Sequence, residues 1–221
     1  MLEVIEAESG PDPRASILIL HGLGADGNDF VPIAQELDLE AAGPVRFVFP
    51  HAPEMPVTIN GGYRMRAWYD ILGTESQGVQ DEAGLRRSQQ LVEALIAREM
   101  QRGVPASRIV LAGFSQGCAM SLLTGLRFRE RLGGIAGLSG YLPLAEQTAA
   151  ERSPASVATP IFLAHGWQDE VVDFERGQSS AEALRQLGYQ VEWHDYPVGH
   201  SVCMEEIREL NDWLVKALSA A

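Results

Sequence analysis

Arg108-Ile109-Val110-Leu111-Ala112-Gly113-Phe114-Ser115-Gln116-Gly117-Cys118-Ala119-Met120-Ser121-Leu122-Leu123 is the stretch whose reading decides the fold. It opens as a β-like apolar run and closes as the start of a helix, with a Gly-x-Ser-x-Gly pentapeptide on the turn between them. So tight a strand-to-helix turn has no room for side chains two residues either side of its centre, which is why glycines are wanted at 113 and 117. The strain points the Ser115 hydroxyl outward and makes it a candidate nucleophile. The plainer reading is a helix N-cap, since serine satisfies an orphan N–H there, but a capping serine has no need of glycines at −2 and +2.

The pentapeptide alone is a weak signal, and its context has to carry the claim. A serine hydroxyl is a poor nucleophile until a base removes its proton, so a histidine is needed, with an acid to orient it. After the apolar run Pro160-Ile161-Phe162-Leu163-Ala164 comes His165-Gly166-Trp167-Gln168-Asp169, which puts Asp169 just past a strand end. Glu170 and Asp173 are its rivals. After Val191-Glu192-Trp193-His194-Asp195-Tyr196 comes Pro197-Val198-Gly199-His200. Of the five histidines, His21 precedes a glycine-rich turn, His51 lies in a Pro-rich loop, and His165 and His194 fall at or within strand-like segments. Only His200 follows Gly in a loop just before a helix. Ser115, then Asp169, then His200, each at the C-terminal edge of its own strand, is the chain order of α/β-hydrolases.

A tetrahedral intermediate also needs hydrogen-bond donors where its charge develops. The Gln116 N–H, at the start of the helix after Ser115, is one candidate. The strand-like Ser16-Ile17-Leu18-Ile19-Leu20 runs into His21-Gly22-Leu23-Gly24-Ala25-Asp26-Gly27, whose glycines let the backbone turn a second N–H, that of Leu23, toward the site. The other readings are a plain turn or a phosphate-binding loop; Gly22-Leu23-Gly24-Ala25-Asp26-Gly27 does fit G-x-G-x-x-G, a weak signal by itself, whereas G-x-x-x-x-G-K-[ST] is absent.

Five blocks, His21 to Gly27, Arg66-Ala67-Trp68-Tyr69-Asp70, Gly113 to Gly117, His165-Gly166 with Asp169, and Gly199-His200-Ser201, together resemble the phospholipase/carboxylesterase family, which includes bacterial carboxylesterases and acyl-protein thioesterases. The resemblance runs from about residue 16 to the C-terminus. It implies an α/β-hydrolase fold with a mostly parallel central sheet flanked by helices and no large cap domain. It also implies hydrolysis of esters or thioesters, and supports Leu23 and Gln116 as oxyanion donors. One departure is that the family often has Pro after the Val-Val pair, whereas Asp173 follows Val171-Val172 here, which keeps Asp173 open as a rival acid.

The 221 residues, 46% of them hydrophobic, suit a single α/β domain over 1–221. Apolar runs near 16–20, 45–49, 108–112, 134–138, 160–164 and 190–196 alternate with amphipathic segments near 28–38, 82–102, 116–128, 178–187 and 203–218, the pattern of a mostly parallel sheet. A net charge of −13 disfavours nucleic acid and anionic membrane surfaces. No stretch approaches 18 consecutive apolar residues and the N-terminus lacks a signal-peptide pattern, so a soluble cytoplasmic protein without stable membrane insertion is the simplest expectation. Two cysteines, Cys118 and Cys203, are too few for a disulfide framework and lack the clustering of zinc ligands. The expected mechanism uses no metal and no cofactor.

Between Pro50 and the helix near 82 lies a connection longer than compact domains usually tolerate without a purpose. Its Met65, Trp68, Tyr69 and Ile71 either wall an acyl pocket or, as large aromatics often do, pack the loop onto the body. The resemblance favours the pocket, because in the family this segment borders the site. The leading expectation is a serine carboxylesterase acting on esters of short or medium acyl chains, with an acyl-protein thioesterase or lysophospholipase as the alternative. A non-catalytic binding module would be expected to lack a triad member, and a peptidase would share the triad. The expected partner is a small-molecule ester or acylated substrate, and self-association as a homodimer stays open.

Overall fold

The computed structural model describes residues 2–73 and 79–219. Nine strands are present among them: β1 (Val4–Glu8), β2 (Ala15–Leu20), β3 (Val45–Pro50), β4 (Glu54–Val57), β5 (Tyr63–Arg66), β6 (Ile109–Phe114), β7 (Gly134–Leu138), β8 (Ile161–Gly166) and β9 (Val191–Tyr196). The helices are α1 (Val31–Gln35), α2 (Glu82–Gln101), α3 (Gln116–Arg127), α4 (Ala145–Glu151), α5 (Phe174–Gln186) and α6 (Met204–Ser219). Seven strands make one sheet in the order β1-β3-β2-β6-β7-β8-β9. All neighbours are parallel except the edge strand β1, which runs antiparallel to β3.

The apolar runs are continuous because both faces of the sheet are covered. Successive side chains of β2 point to opposite layers. Ile17 and Ile19 pack with Leu210, Trp213 and Leu214 of α6, while Leu18 and Leu20 pack with Leu85, Val92, Leu95 and Ile96 of α2. Each such side chain contributes about 1.5–3 kcal/mol by leaving water. Together they make the sheet a rigid base on which loops can be held to a fixed geometry.

The structure departs from the sequence expectations in three places. The segment near 28–38 is a 3-10 turn over Gly27–Phe30 followed by only five helical residues, Val31–Gln35. Asp26 caps the turn through Asn28, and Pro32, which has no N–H to bond back, sits where a helix can start but not continue from it. The helix expected from 178 begins at Phe174, with Asp173 at its N-cap. The long connection after Pro50 is not a plain loop, since it folds into the antiparallel hairpin β4-β5. Asp81, the N-cap of α2, fastens the far end of that connection by accepting from Gly84 N–H at 2.9 Å and Asp70 N–H at 3.0 Å.

Parallel strands place their C-terminal ends along one edge of the sheet, where ligands bind in open α/β folds. At that edge β2 runs into the His21–Gly27 loop, β6 into Ser115, β8 into the loop of Asp169, and β9 into the loop of His200.

Candidate active site

Ser115 sits at the N-cap position of α3 with φ +56° and ψ −118°, and its side chain makes no capping hydrogen bond. A non-glycine residue in this region costs on the order of 1–3 kcal/mol and persists where the surroundings fix it. Here they do. A Cβ at 113 would lie 2.2 Å from the Gly117 carbonyl oxygen, and one at 117 would lie 1.9 Å from that of Leu20. The Ser115 N–H is tied to the Leu138 carbonyl at 2.9 Å. The glycines therefore let three chain segments meet beneath the serine.

His200 Nδ1 lies 2.7 Å from Asp169 Oδ2. A carboxylate only accepts, so Nδ1 carries the proton and Nε2 is left as the basic nitrogen. The other carboxylate oxygen of Asp169 accepts from Val171 N–H and Val172 N–H, each at 2.9 Å. Asp169 is buried, whereas Glu170 and Asp173 are exposed. Of the three candidate acids, only Asp169 is brought to His200.

A further polar neighbour of the acid, missed in the sequence, stands beside it. His165 Nε2 is 3.3 Å from Asp169 Oδ2 and 3.0 Å from the Val172 carbonyl, both of them acceptors, so its proton sits on Nε2. Its ring is 1% exposed and meets Phe174 edge-on. Being the penultimate residue of an apolar strand made it read as structural, and its offset of four residues from Asp169 was the available signal. His194 is occupied elsewhere by Glu192 and Glu209.

The Gln116 N–H is the first orphan donor of α3. Leu23 lines the same cavity as Ser115 and Gln116, and its N–H has no backbone partner among the described residues. The loop around Leu23 is pinned on several sides. Ala52 N–H donates to His21 Nε2 at 3.0 Å, so the His21 proton lies on Nδ1, which donates to the Gly22 carbonyl at 2.7 Å. Burial pushes the His21 pKa down and keeps the ring neutral. Gly24, at φ +75°, donates from its N–H to the Arg66 carbonyl at 2.9 Å.

Trp68 corrects the sequence reading of a pocket wall. It is 1% exposed and lines neither cavity beside Ser115. Its indole N–H donates to the His21 carbonyl at 2.9 Å, and its backbone N–H donates to Gln116 Oε1 at 3.0 Å. Gln116 Nε2 in turn donates to the Tyr69 carbonyl at 3.0 Å. Trp68 thus ties the Leu23 loop to Gln116, and the alternative reading, packing of the loop onto the body, holds for it. Met65 also lines neither cavity, and its sulfur accepts from Asn60 Nδ2 at 3.4 Å. Tyr69 and Ile71 do line a cavity. Trp68→Ala is accordingly expected to destabilise the fold by about 3–5 kcal/mol and to lower ester turnover equally for acetyl and octanoyl substrates. Denaturant unfolding and an acyl-chain panel check this, and a shift of the chain-length optimum would return Trp68 to the pocket wall.

Two cavities meet at Ser115. One, of about 460 Å³, is lined by Phe30, Ile33, Phe114, Val202 and His200. The other, of about 550 Å³, is lined by Ile59, Tyr69, Ile71, Tyr141 and Gln116, with Glu170 and Asp173 at its edge. Leu23, Ser115 and Val171 border both. The Phe114 ring supports the imidazole of His200 from 4.6 Å between centroids. Among the described residues no helix is long and apolar enough to cross a membrane.

The family model for phospholipase/carboxylesterase matches residues 2–218. An acyl-protein thioesterase 1 of Yarrowia lipolytica is 42% identical over 205 residues, covering 90% of each chain. The crystal structure of Arabidopsis thaliana SOBER1 superposes with a TM-score of 0.88 at 32% identity, over 93% of this chain and 99% of the other. That of Zea mays acyl-protein thioesterase 2 gives 0.83 at 30% identity, over 97% and 99%.

Proposed function

Because the chain belongs to the phospholipase/carboxylesterase family of α/β-hydrolases, and is therefore a serine hydrolase of ester or thioester bonds, we propose that it cleaves acyl thioesters through an acyl-Ser115 intermediate. The observation that carries this reading is the 2.7 Å bond between Asp169 and His200 Nδ1, which turns the basic Nε2 away from the acid while His200 shares a cavity with the elbow serine. His200 Nε2 takes the Ser115 proton as Oγ attacks the carbonyl carbon. The Leu23 and Gln116 N–H groups hold the developing oxyanion, each worth about 3 kcal/mol of barrier. His200 then gives the proton to the departing sulfur, and water repeats the sequence to release the acid. The acyl chain lies in the cavity of Tyr69 and Ile71. We read residues 1–221 as one catalytic domain acting in the cytoplasm, a reading supported by the unpaired state of Cys118 and Cys203.

The leading expectation from sequence was a carboxylesterase. The thioester is preferred here because the relatives 36–42% identical are named acyl-protein thioesterases. The test presents one octanoyl group on an alkyl thiol and on the matching alcohol. A higher kcat/KM for the thioester is expected, and the reverse ranking would restore the carboxylesterase.

A further inference from the structure

The two cavities beside Ser115 are chemically unequal, and the machinery divides between them. His200 lines only the 460 Å³ cavity, Gln116 lines only the 550 Å³ cavity, and Ser115 stands on the boundary. When Oγ bonds to the carbonyl carbon, that carbon keeps three other substituents. The oxyanion turns to the Leu23 and Gln116 N–H groups. The leaving atom must face His200, because the C–S or C–O bond breaks as the proton taken from Oγ passes from Nε2 to that atom. The acyl chain is left with the remaining direction, into the other cavity. This placement rests on the acyl-Ser115 reading above.

We propose that the cavity of Phe30, Ile33, Phe114 and Val202 is a leaving-group subsite that takes an apolar group carried on the departing thiol or alcohol. Its size falls within the range of small-molecule sites. Apart from Ser115 and His200 its walls are hydrocarbon, and Asp29 is the one carboxylate among the described residues that line it. One oxygen of that exposed carboxylate is turned back to accept from the Asp26 N–H at 2.7 Å as part of a capping box. Among the described residues no lysine or arginine lines the cavity to meet an anionic leaving group. The acyl-side cavity, in contrast, carries Asn60, Glu170 and Asp173 beside its apolar residues.

The test holds the acyl group constant and lengthens the leaving group, using S-methyl, S-butyl and S-hexyl octanethioates. Alkyl thiols along this series differ little in acidity, so kcat/KM reports fit in preference to leaving ability. For the wild type kcat/KM is expected to rise by about fourfold per methylene until the cavity is full. Ile33→Trp, at a half-buried position on the wall, is expected to cut the hexyl-to-methyl ratio at least tenfold while the octanoyl-to-acetyl ratio on S-methyl thioesters follows the wild type. Ala25→Leu, on a different segment of the same wall, repeats the measurement without disturbing α1. A flat wild-type series, or variants that move the acyl ratio in place of the leaving-group ratio, would overturn the assignment. If thioesters are inert while O-alkyl octanoates are cleaved, the thioester reading falls, and the same two ratios measured on O-alkyl esters decide the subsite.

Discussion

Ser115→Ala is expected to lower kcat by roughly 10⁴- to 10⁶-fold, His200→Ala by a similar factor, and the double variant by little more than either. The reason is that the hydroxyl and the imidazole form one proton-transfer unit, and a serine without a base is about as unreactive as no serine. In barrier terms this is on the order of 5–8 kcal/mol. The residual rate comes from the oxyanion donors and substrate positioning, which neither substitution touches. Steady-state kinetics on one octanoyl ester or thioester suffices. Losses that multiply in the double variant would show that the two residues act independently and would contradict the proposed relay.

Asp169→Asn is expected to cost about 10⁴-fold in kcat with the fold intact. The local hydrogen bonds fix how the amide must sit. Val171 and Val172 N–H groups both require an acceptor at the Oδ1 position, so the amide oxygen stays there and the NH₂ replaces Oδ2. That NH₂ then faces His200 Nδ1 and His165 Nε2–H, which are both donors in the wild type. His200 can accept at Nδ1 only by moving its proton to Nε2, where it can no longer act as a base. Asp173→Asn, exposed at the start of α5, is expected to change kcat by about twofold at most. A larger loss at Asp173 than at Asp169 would mean that the acid has been misassigned.

The elbow was legible in the sequence because its geometry forces residue types. Only glycine fits within 2.2 Å of backbone oxygens at 113 and 117, so the fold writes itself into the composition there. The same holds for the buried strands, which are mostly apolar because helices cover both faces, with Ser16, Arg46 and His165 as buried exceptions. Asp169 could be preferred over Glu170 and Asp173 from its place beside the strand end, yet the deciding fact, burial against His200, is a long-range contact. Trp68 shows the limit more sharply. Whether an indole in a long connection faces a pocket or the body depends on the hairpin β4-β5 and on the reach of Gln116 from a helix 48 residues away. No local period encodes that. His165 was hidden for a related reason, since a histidine at the end of a buried strand looks like core until the neighbouring loop folds Asp169 back over it.

The most direct test of the acyl-serine account is mass spectrometry of the protein after reaction with a fluorophosphonate. Stoichiometric modification of Ser115 with matching loss of activity is expected, and Ser115→Ala should take up no label. Burial pushes the Cys118 thiol up to about 12, so at neutral pH it remains a protonated, inaccessible group behind the elbow and should stay unmodified. An adduct on Cys118, Cys203 or another serine that tracks the loss of activity, with Ser115 unlabelled, would contradict the account.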